Sequence, residues 1–420
     1  MTNGKPEVAS VGLDAAKEIF SQANLQSLVE IVGPLMQRGG QTLAYMLPAA
    51  SRIGHMCLEP FYLANLFCES HPNIAAIIHD HRFQGHSRGV RRLHEPRIDF
   101  LETMNRKLVM MGHFNAGTMD IGPLTWAMIS PSALFRDFVL HLEAGNPIRH
   151  LTPPADLLAE GSSLLAKMGY DDDRPAVVLH VRDTGYLPEM GYHHFRANRI
   201  ENYLPAIDHL VSEGYRVFRL GDRTSVPLNH ESPLVVDLPH HPDYADILDV
   251  CCIARARFAI TCSSGPEAIA RILNTPMVMV NGYSQPDHWV NTRDLLLFKT
   301  YRNTENGAQI GYDEMLARDL FLQNTVEGFA RAGVALEDNS PEQILSAVKE
   351  MEERLDGSFE ADGSLDARFR EMSRTHLERY RANLPEKGPD EQDRFETYAY
   401  ALPWTNYCQS FIIDNPWFLR

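Results

Sequence analysis

The sequence is short of three things, and each shortage closes off a class of function. Cysteine comes first: there are six in 420 residues, at spacings that build neither a disulfide framework nor a zinc site. The adjacent Cys251-Cys252 fall within a helical pattern and read as core. Positive charge is second. With 39 Lys and Arg against 55 Asp and Glu the formal charge is −16, and a general nucleic-acid binder needs clustered cations. Long apolar runs are third. None is long enough to span a bilayer, and no basic amphipathic helix suggests membrane docking. The start MTNGKPEVASVGLD lacks the basic head and apolar core of a secretory signal. A cytoplasmic location is expected.

Two signatures are also missing. Without G-x-G-x-x-G, NAD is not an expected ligand. Without H-E-x-x-H, and with His193-His194 and His240-His241 as neighbours that would point to opposite faces of a strand, no metal site is expected. What is present is an ordinary globular composition, 44% hydrophobic and 22% charged. The chain is too long for one ordinary core, so two domains are expected.

Apolar periodicity places the elements. Residues 12 to 38 read as a helix, 42 to 47 as a strand, and Gly54-His55 as the opening of a helix through Phe67. A short apolar run covers 73 to 79, and Lys107 to Met111 reads as a third strand. An α/β domain over 1–150 follows. The prolines of Leu151-Thr-Pro-Pro-Ala mark a linker. Beyond it, strands over 176–181, 215–220, 234–238, 258–262 and 277–280 alternate with helices over 202–213, 245–256 and 266–273. Gly214 suits a left-handed helix cap. This alternation predicts, over 151–330, a parallel sheet covered on both faces, with ligands beyond the carboxyl ends of its strands. Arg182, Asp222, Ser263 and Asn281 fall at such ends. The segment 331–420 reads as mostly helical, packing back on the domains, and Ser340-Pro341-Glu342-Gln343 carries a capping-box spacing.

The most informative stretch is VVLHVRDTGYLP, residues 177 to 188. Its apolar head reads as a buried strand that delivers His180, Arg182 and Asp183 into a loop. Arginine is the cation best suited to gripping a phosphate bidentately. A second strand runs into Ser263-Ser264-Gly265-Pro266-Glu267 and a helix. Hydroxyls and backbone N–H groups at a helix start favour an anion; the alternative is that Ser264 is only an N-cap and Gly265 a turn. Together the two loops would make a diphosphate pocket. Glu267 reads either as a ribose contact or as a first-turn acid. His180 reads as a packing or orienting residue ahead of a catalytic one, and Asp183 as an ion-pair partner for Arg182. Asp222 and Asn281 read equally as base or ribose contacts and as turn residues. Arg196, Asn198 and Arg199, with Tyr186, Tyr192, His193 and His194, occupy a long polar loop that reads as functional, the alternative being an ordinary surface loop. In the first domain His55, at a loop-to-helix start, reads equally as a general base and as a helix-capping histidine, with His113 and Asp120 behind it.

These residues carry a resemblance. The segment from His180 to Asn281 resembles the nucleotide-binding half of GT-B glycosyltransferases. More closely, the chain is similar to a family of bacterial glycosyltransferases found with surface-polysaccharide and natural-product genes. The matching pieces are Arg52-Ile-Gly-His-Met-Cys-Leu-Glu59, His180-Val-Arg-Asp-Thr-Gly-Tyr-Leu187, Arg196-x-Asn198-x-Ile200-x-x-Tyr203, Arg219-Leu-Gly-Asp222, Ser263-Ser264-Gly265, Asn339-Ser-Pro-Glu342 and Met351-Glu-Glu-Arg354. More distantly, His180-Val-Arg182 and Ser263-Ser264 are similar to the H-x-R motif and strand-end serines with which fucosyltransferases hold the diphosphate of GDP-fucose. Asp183-Thr184-Gly185 follows where many of those enzymes have a second basic residue, a departure that leaves sugar and base open.

The resemblance implies a GT-B-like α/β fold, two Rossmann-like domains facing a cleft with C-terminal helices, the first on the acceptor side and the second binding the nucleotide sugar. It implies metal-independent, inverting transfer to a small-molecule, peptide or glycan hydroxyl or amine. Arg182 would neutralise the leaving diphosphate and His55 would act as base. His180, Arg196, Asn198, Asp222, Ser263, Ser264, Gly265, Glu267 and Asn281 would complete the donor site. No cofactor is expected beyond the nucleotide sugar as co-substrate. The expected partners are that donor and its acceptor, without nucleic acid or stable membrane insertion, and a homodimer is allowed. The rivals are a nucleotide-sugar 2-epimerase and a catalytically silent nucleotide-sugar-binding protein.

Overall fold

A computed structural model describes residues 17–80, 82, 85–115, 117–170, 173–185, 191–283, 291–383 and 406–420. Tyr186 and Leu187, singled out above, lie outside the described residues. The chain divides into two compact units, Met1–Arg149 and His150–Arg420.

The first unit is built on five strands: β1 Thr42–Met46, β2 Asn73–His79, β3 Asp99–Thr103, β4 Gly117–Ile121 and β5 Leu124–Met128. They lie in the order β3-β2-β1-β5-β4. All neighbours are parallel except β4, which pairs antiparallel with β5. Helices α1 Gln22–Met36, α2 Ile53–Phe67, α3 Arg88–His94, α4 Arg106–Met110 and α5 Pro131–Glu143 connect or flank them. Ser21, Ser87, Asn105 and Ser130 each cap a helix by accepting a backbone N–H in its first turn. All five positions of β1 are buried, as a central parallel strand requires. Leu28 and Val32 of α1 pack with Ala44, Met46, Ile77 and Trp126 of the sheet.

One expectation fails here. Lys107 to Met111 is not a strand but lies in α4 and a 3₁₀ turn over Met111–His113. A short apolar run does not separate strand from helix by period, and the Asn105 side chain, accepting the Leu108 N–H at 3.2 Å, sets the helix start. The turn presses against the end of β1: a Cβ on Gly112 would lie 2.4 Å from the Met46 carbonyl oxygen.

The second unit contains β6 Ala176–His180, β7 Arg216–Leu220, β8 Val235–Asp237, β9 Phe258–Thr261, β10 Met277–Gly282 and β11 Leu295–Phe298. These form an all-parallel sheet ordered β11-β10-β9-β6-β7-β8. Counted from its first strand, this is the doubly wound order 3-2-1-4-5-6, with the direction of winding reversing between β6 and β9. Helices α6 Ala155–Lys167, α7 Leu204–Ser212, α8 Ile247–Arg255 and α9 Glu267–Leu273 alternate with the strands. Gly214, after α7, has φ of 84°, which glycine adopts without strain. Strands β12 Thr300–Asn303 and β13 Val334–Glu337 pair antiparallel, with α10 Tyr312–Ala317 and α11 Val326–Arg331 between them.

Next come α12 Pro341–Asp356, α13 Gly363–Asn383 and α14 Gln409–Asp414. The capping box at Ser340 and Gln343 is formed, and α12 packs on α7 and β10. Beside β11, the Leu296 N–H donates to the Asn406 carbonyl at 2.9 Å and the Cys408 N–H returns to Leu296 at 2.9 Å. Residues 406–408 thereby cover the open edge of the sheet.

Four buried ionisable groups with large shifts contribute to how stability depends on pH. Burial pushes Asp249 up to about 8, its carboxylate accepting the Tyr244 hydroxyl, and Asp294 up to about 7. Burial pushes His94 down to about 3 and His180 down to about 4. A carboxyl with a raised folded pKa favours folding at low pH, and that contribution is lost as pH rises from its unfolded value to its folded one. A histidine with a lowered folded pKa acts in reverse, withdrawing stability as pH falls below about 6.5. The two effects oppose each other below that pH. Between about 6.5 and 8 only the carboxyls act. Urea midpoints are therefore expected to fall as pH rises through that window, with a slope on the order of 1 kcal/mol per pH unit. Asp249→Asn is expected to flatten the slope; an unchanged slope in the variant would remove Asp249 as its source.

Candidate functional site

Chains leaving β6 and β9 turn to opposite faces of the sheet, and the gap between them is where doubly wound sheets bind ligands. The two strand ends are tied: the Arg182 N–H donates to Cys262 Sγ at 3.3 Å. The Arg182 carbonyl accepts the Asn198 N–H at 2.8 Å and its Nδ2 at 3.5 Å. Asp183 is not the ion-pair partner that the sequence suggests for Arg182. Its oxygens accept the N–H groups of Gly185 at 2.8 Å and Val226 at 2.6 Å, fastening the loop after β6 to the loop after β7. Gly185 is required there, since a Cβ would sit 2.3 Å from the Thr224 carbonyl oxygen.

His180 is buried at the end of β6, with Nδ1 donating to the Leu220 carbonyl at 3.3 Å. Burial lowers its pKa, the Leu220 carbonyl opposes, and the charges of Arg219 and Arg182 lower it further. The ring is neutral at pH 7, and its buried Nε2 has no hydrogen-bond partner among the described residues.

The loop after β9 offers unsatisfied donors, though not where the sequence puts them. The N–H groups of Glu267, Ala268 and Ile269 bond back to the carbonyls of Ser264, Gly265 and Pro266 at 3.3, 3.1 and 3.1 Å. The first turn of α9 is thus closed on itself. One step earlier, the N–H groups of Ser264 and Gly265 and the Ser264 hydroxyl make no hydrogen bond among the described residues, although Ser264 is only 5% exposed. Glu267 is held inward, its carboxylate 2.6 Å from Arg271 Nε with both side chains buried.

Arg196 joins the two loops. Its Nε donates to the Ser263 carbonyl at 2.9 Å, and its guanidinium carbon lies 5.9 Å from the centre of the Tyr283 ring. Its two terminal nitrogens have no hydrogen-bond partner among the described residues. Phe195 packs on Tyr283 and Phe329 at 4.9 and 5.2 Å between ring centres, which seats the loop. Asn198 adds a bond to the Arg196 carbonyl at 3.1 Å, and its buried Oδ1 lacks a partner among the described residues.

Lys299, which the sequence reading passed over, completes this end of the sheet. Its Nζ donates to the Ala197 carbonyl and to Asp338, each at 2.7 Å. Asp338 in turn accepts the Arg199 N–H at 3.0 Å. The signal for it was its place directly after the apolar run Leu295–Phe298. Burial raises the Cys262 thiol to about 11, while the Arg182 N–H and the charges of Arg182, Arg196 and Lys299 pull it back. Three cations therefore gather at the carboxyl end of β9.

Two other candidates are engaged in the framework. Asn281 has φ of 53°, exchanges N–H···O bonds both ways with Asn339 at 2.6 Å, and donates Nδ2 to the Tyr203 hydroxyl at 3.0 Å. Asp222 is exposed and closes its own turn by accepting the Thr224 N–H at 2.8 Å and hydroxyl at 2.7 Å.

In the first unit, the strand order reverses beside β1, between β1 and β5. There His55 Nδ1 lies 2.5 Å from Glu59 Oε1, one turn along α2. The other Glu59 oxygen accepts the Tyr45 hydroxyl of β1 at 2.5 Å. Tyr45 is fully buried, and the side chains of Glu59 and His55 are 3% and 35% exposed. Burial, with the charge and hydrogen bond of Glu59, holds the Tyr45 hydroxyl in its protonated form. His113 stands close enough to feel both: burial lowers its pKa, Glu59 opposes, and His55 lowers it again. Asp120 sits instead on exposed β4 and accepts the Thr125 hydroxyl at 2.7 Å. Glu59 was legible in retrospect, as a carboxylate at i+4 from a histidine within an apolar helix.

Among the described residues, no helix is long and apolar enough to cross a membrane, and no group of three or more His, Cys, Asp and Glu residues could hold a metal ion. No protein-family model and no curated protein matches the sequence. Among solved structures, the chain is similar to a glycosyl transferase family 9 protein from Veillonella parvula, at 12% identity over 74% of this chain and 96% of that one, with a TM-score of 0.46. It is also similar to ADP-heptose lipopolysaccharide heptosyltransferase II of E. coli, at 15% identity over 74% of this chain and 98% of that one, with a TM-score of 0.43.

Proposed function

We propose that this chain is a glycosyltransferase of GT-B-like organisation, moving a sugar from a nucleotide-sugar donor to a hydroxyl or amine of a small-molecule, peptide or glycan acceptor. The observation that carries the reading is the end of the second sheet. At its winding reversal, Arg182 and Arg196 stand with the N–H groups of Ser264 and Gly265 and the Ser264 hydroxyl. Fixed cations and unsatisfied donors in a mostly buried setting suit a diphosphate. Asn281, Glu267 and Asp222 support this end of the sheet through the bonds they make within the fold.

In the proposed reaction an acceptor oxygen or nitrogen attacks the anomeric carbon, and the bond from that carbon to the diphosphate oxygen breaks. The diphosphate leaves with the electron pair, and the guanidinium and N–H groups stabilise the charge that develops on it. His55 of the first unit takes the proton of the acceptor. Displacement in one step inverts the anomeric centre, and charge neutralisation by arginine makes the transfer metal-independent.

The test is a thermal-shift series with UDP, GDP, CMP and dTDP. One of them is expected to raise the melting temperature, since a ligand at 100 times its dissociation constant adds about 2.7 kcal/mol to stability. Were no nucleotide to shift it at millimolar concentration, the diphosphate assignment would be lost.

A further inference from the structure

We propose that Glu59 is the positioning residue of the acceptor-activating site: it holds the His55 ring with the proton on Nδ1, so that Nε2 is the atom that receives the acceptor's proton. The inference rests on the reading of His55 as the base and specifies how that base is prepared.

Three observations bear on it. The His55 Nδ1 contact with Glu59 is short, 2.5 Å. An imidazole nitrogen facing a carboxylate oxygen at that distance carries the proton, because two lone pairs would repel. Glu59 is itself fixed from the other side by the Tyr45 hydroxyl at 2.5 Å, so the carboxylate has little freedom to leave the ring. Finally, a buried tyrosine–carboxylate pair is a costly way to fill space beneath a helix. An apolar pair of similar volume would pack there without desolvating a carboxylate. The pair makes chemical sense at the end of β1, where the one partly exposed member of the chain Tyr45–Glu59–His55 is the imidazole.

The titratable groups around His55 are Glu59 on its own helix, Tyr45 from β1 and His113 from the 3₁₀ turn. Tyr45 serves to orient Glu59. His113 lies within the field of both Glu59 and His55, with burial and the His55 charge lowering its pKa and Glu59 raising it.

The experiment is a long-range nitrogen–proton correlation spectrum of the full chain with labelled histidine, taken across pH and needing no substrate. In the wild type, His55 is expected as the Nδ1–H tautomer. In Glu59→Leu that preference is expected to be lost, because no carboxylate remains to accept the Nδ1 proton. A wild-type His55 protonated on Nε2 would overturn the proposal without any variant. So would a folded Glu59→Leu protein whose His55 keeps the Nδ1–H tautomer of the wild type. Should the thermal-shift series fail while the tautomer is as stated, the transferase reading falls and the positioning of His55 by Glu59 stands.

Discussion

Arg182→Ala is expected to weaken binding of the stabilising nucleoside diphosphate by roughly 100-fold. The bonds from Arg182 to Cys262 and Asn198 use its backbone N–H and carbonyl, and alanine keeps both. What is lost is the guanidinium. A charge-assisted hydrogen bond contributes about 1.5–3 kcal/mol, and a bidentate grip contains two. Arg196→Ala is a useful companion because its Nε also supports the Ser263 carbonyl; it is expected to cost both affinity and some stability. Calorimetric titration of each variant checks the pair. Equal affinity in Arg182→Ala and wild type would mean that the phosphates bind elsewhere.

The second large effect is kinetic. His55→Ala is expected to lower kcat by roughly 100-fold to 10000-fold, the range for losing a general base, while nucleotide binding stays within about two-fold of wild type. The binding arm is informative because the phosphate groups are assigned to the second unit. A parallel fall in both quantities would show that the substitution disturbs more than proton transfer. A kcat that survives would transfer the role to another group, His113 first, since it shares the field of Glu59.

The second unit was far more legible in the sequence than the first, and the reason is burial. Strands such as β6 and β10, buried along their length, carry the apolar runs Ala-Val-Val-Leu and Met-Val-Met-Val, and Gly214 marks a helix end by its conformation. In the first unit β4 is exposed at every position, so Gly-Thr-Met-Asp-Ile carries no hydrophobic pattern to read. Asp99–Thr103 was missed for a similar reason, with three of its five positions only partly buried. The site was legible as an inventory of capable residues, and its wiring was not. Asp183, Glu267 and Asn281 have the chemistry of ligand contacts, but the fold uses their polar atoms on Val226, Arg271 and Asn339. Which partner a polar group meets depends on contacts between residues distant in sequence. Lys299 and Asp338, 39 residues apart, became recognisable only when both reached the same sheet end.

The short pairing of residues 406–408 with β11 also bears on how the protein comes into being. Synthesis runs from the amino end, so β11 emerges and docks onto β10 more than a hundred residues before Tyr407 leaves the ribosome. Throughout that interval the growing chain exposes an apolar strand whose backbone groups are ready to pair with any extended neighbour. A nascent second unit is thus adhesive at this margin until residues 406–408 pair with β11.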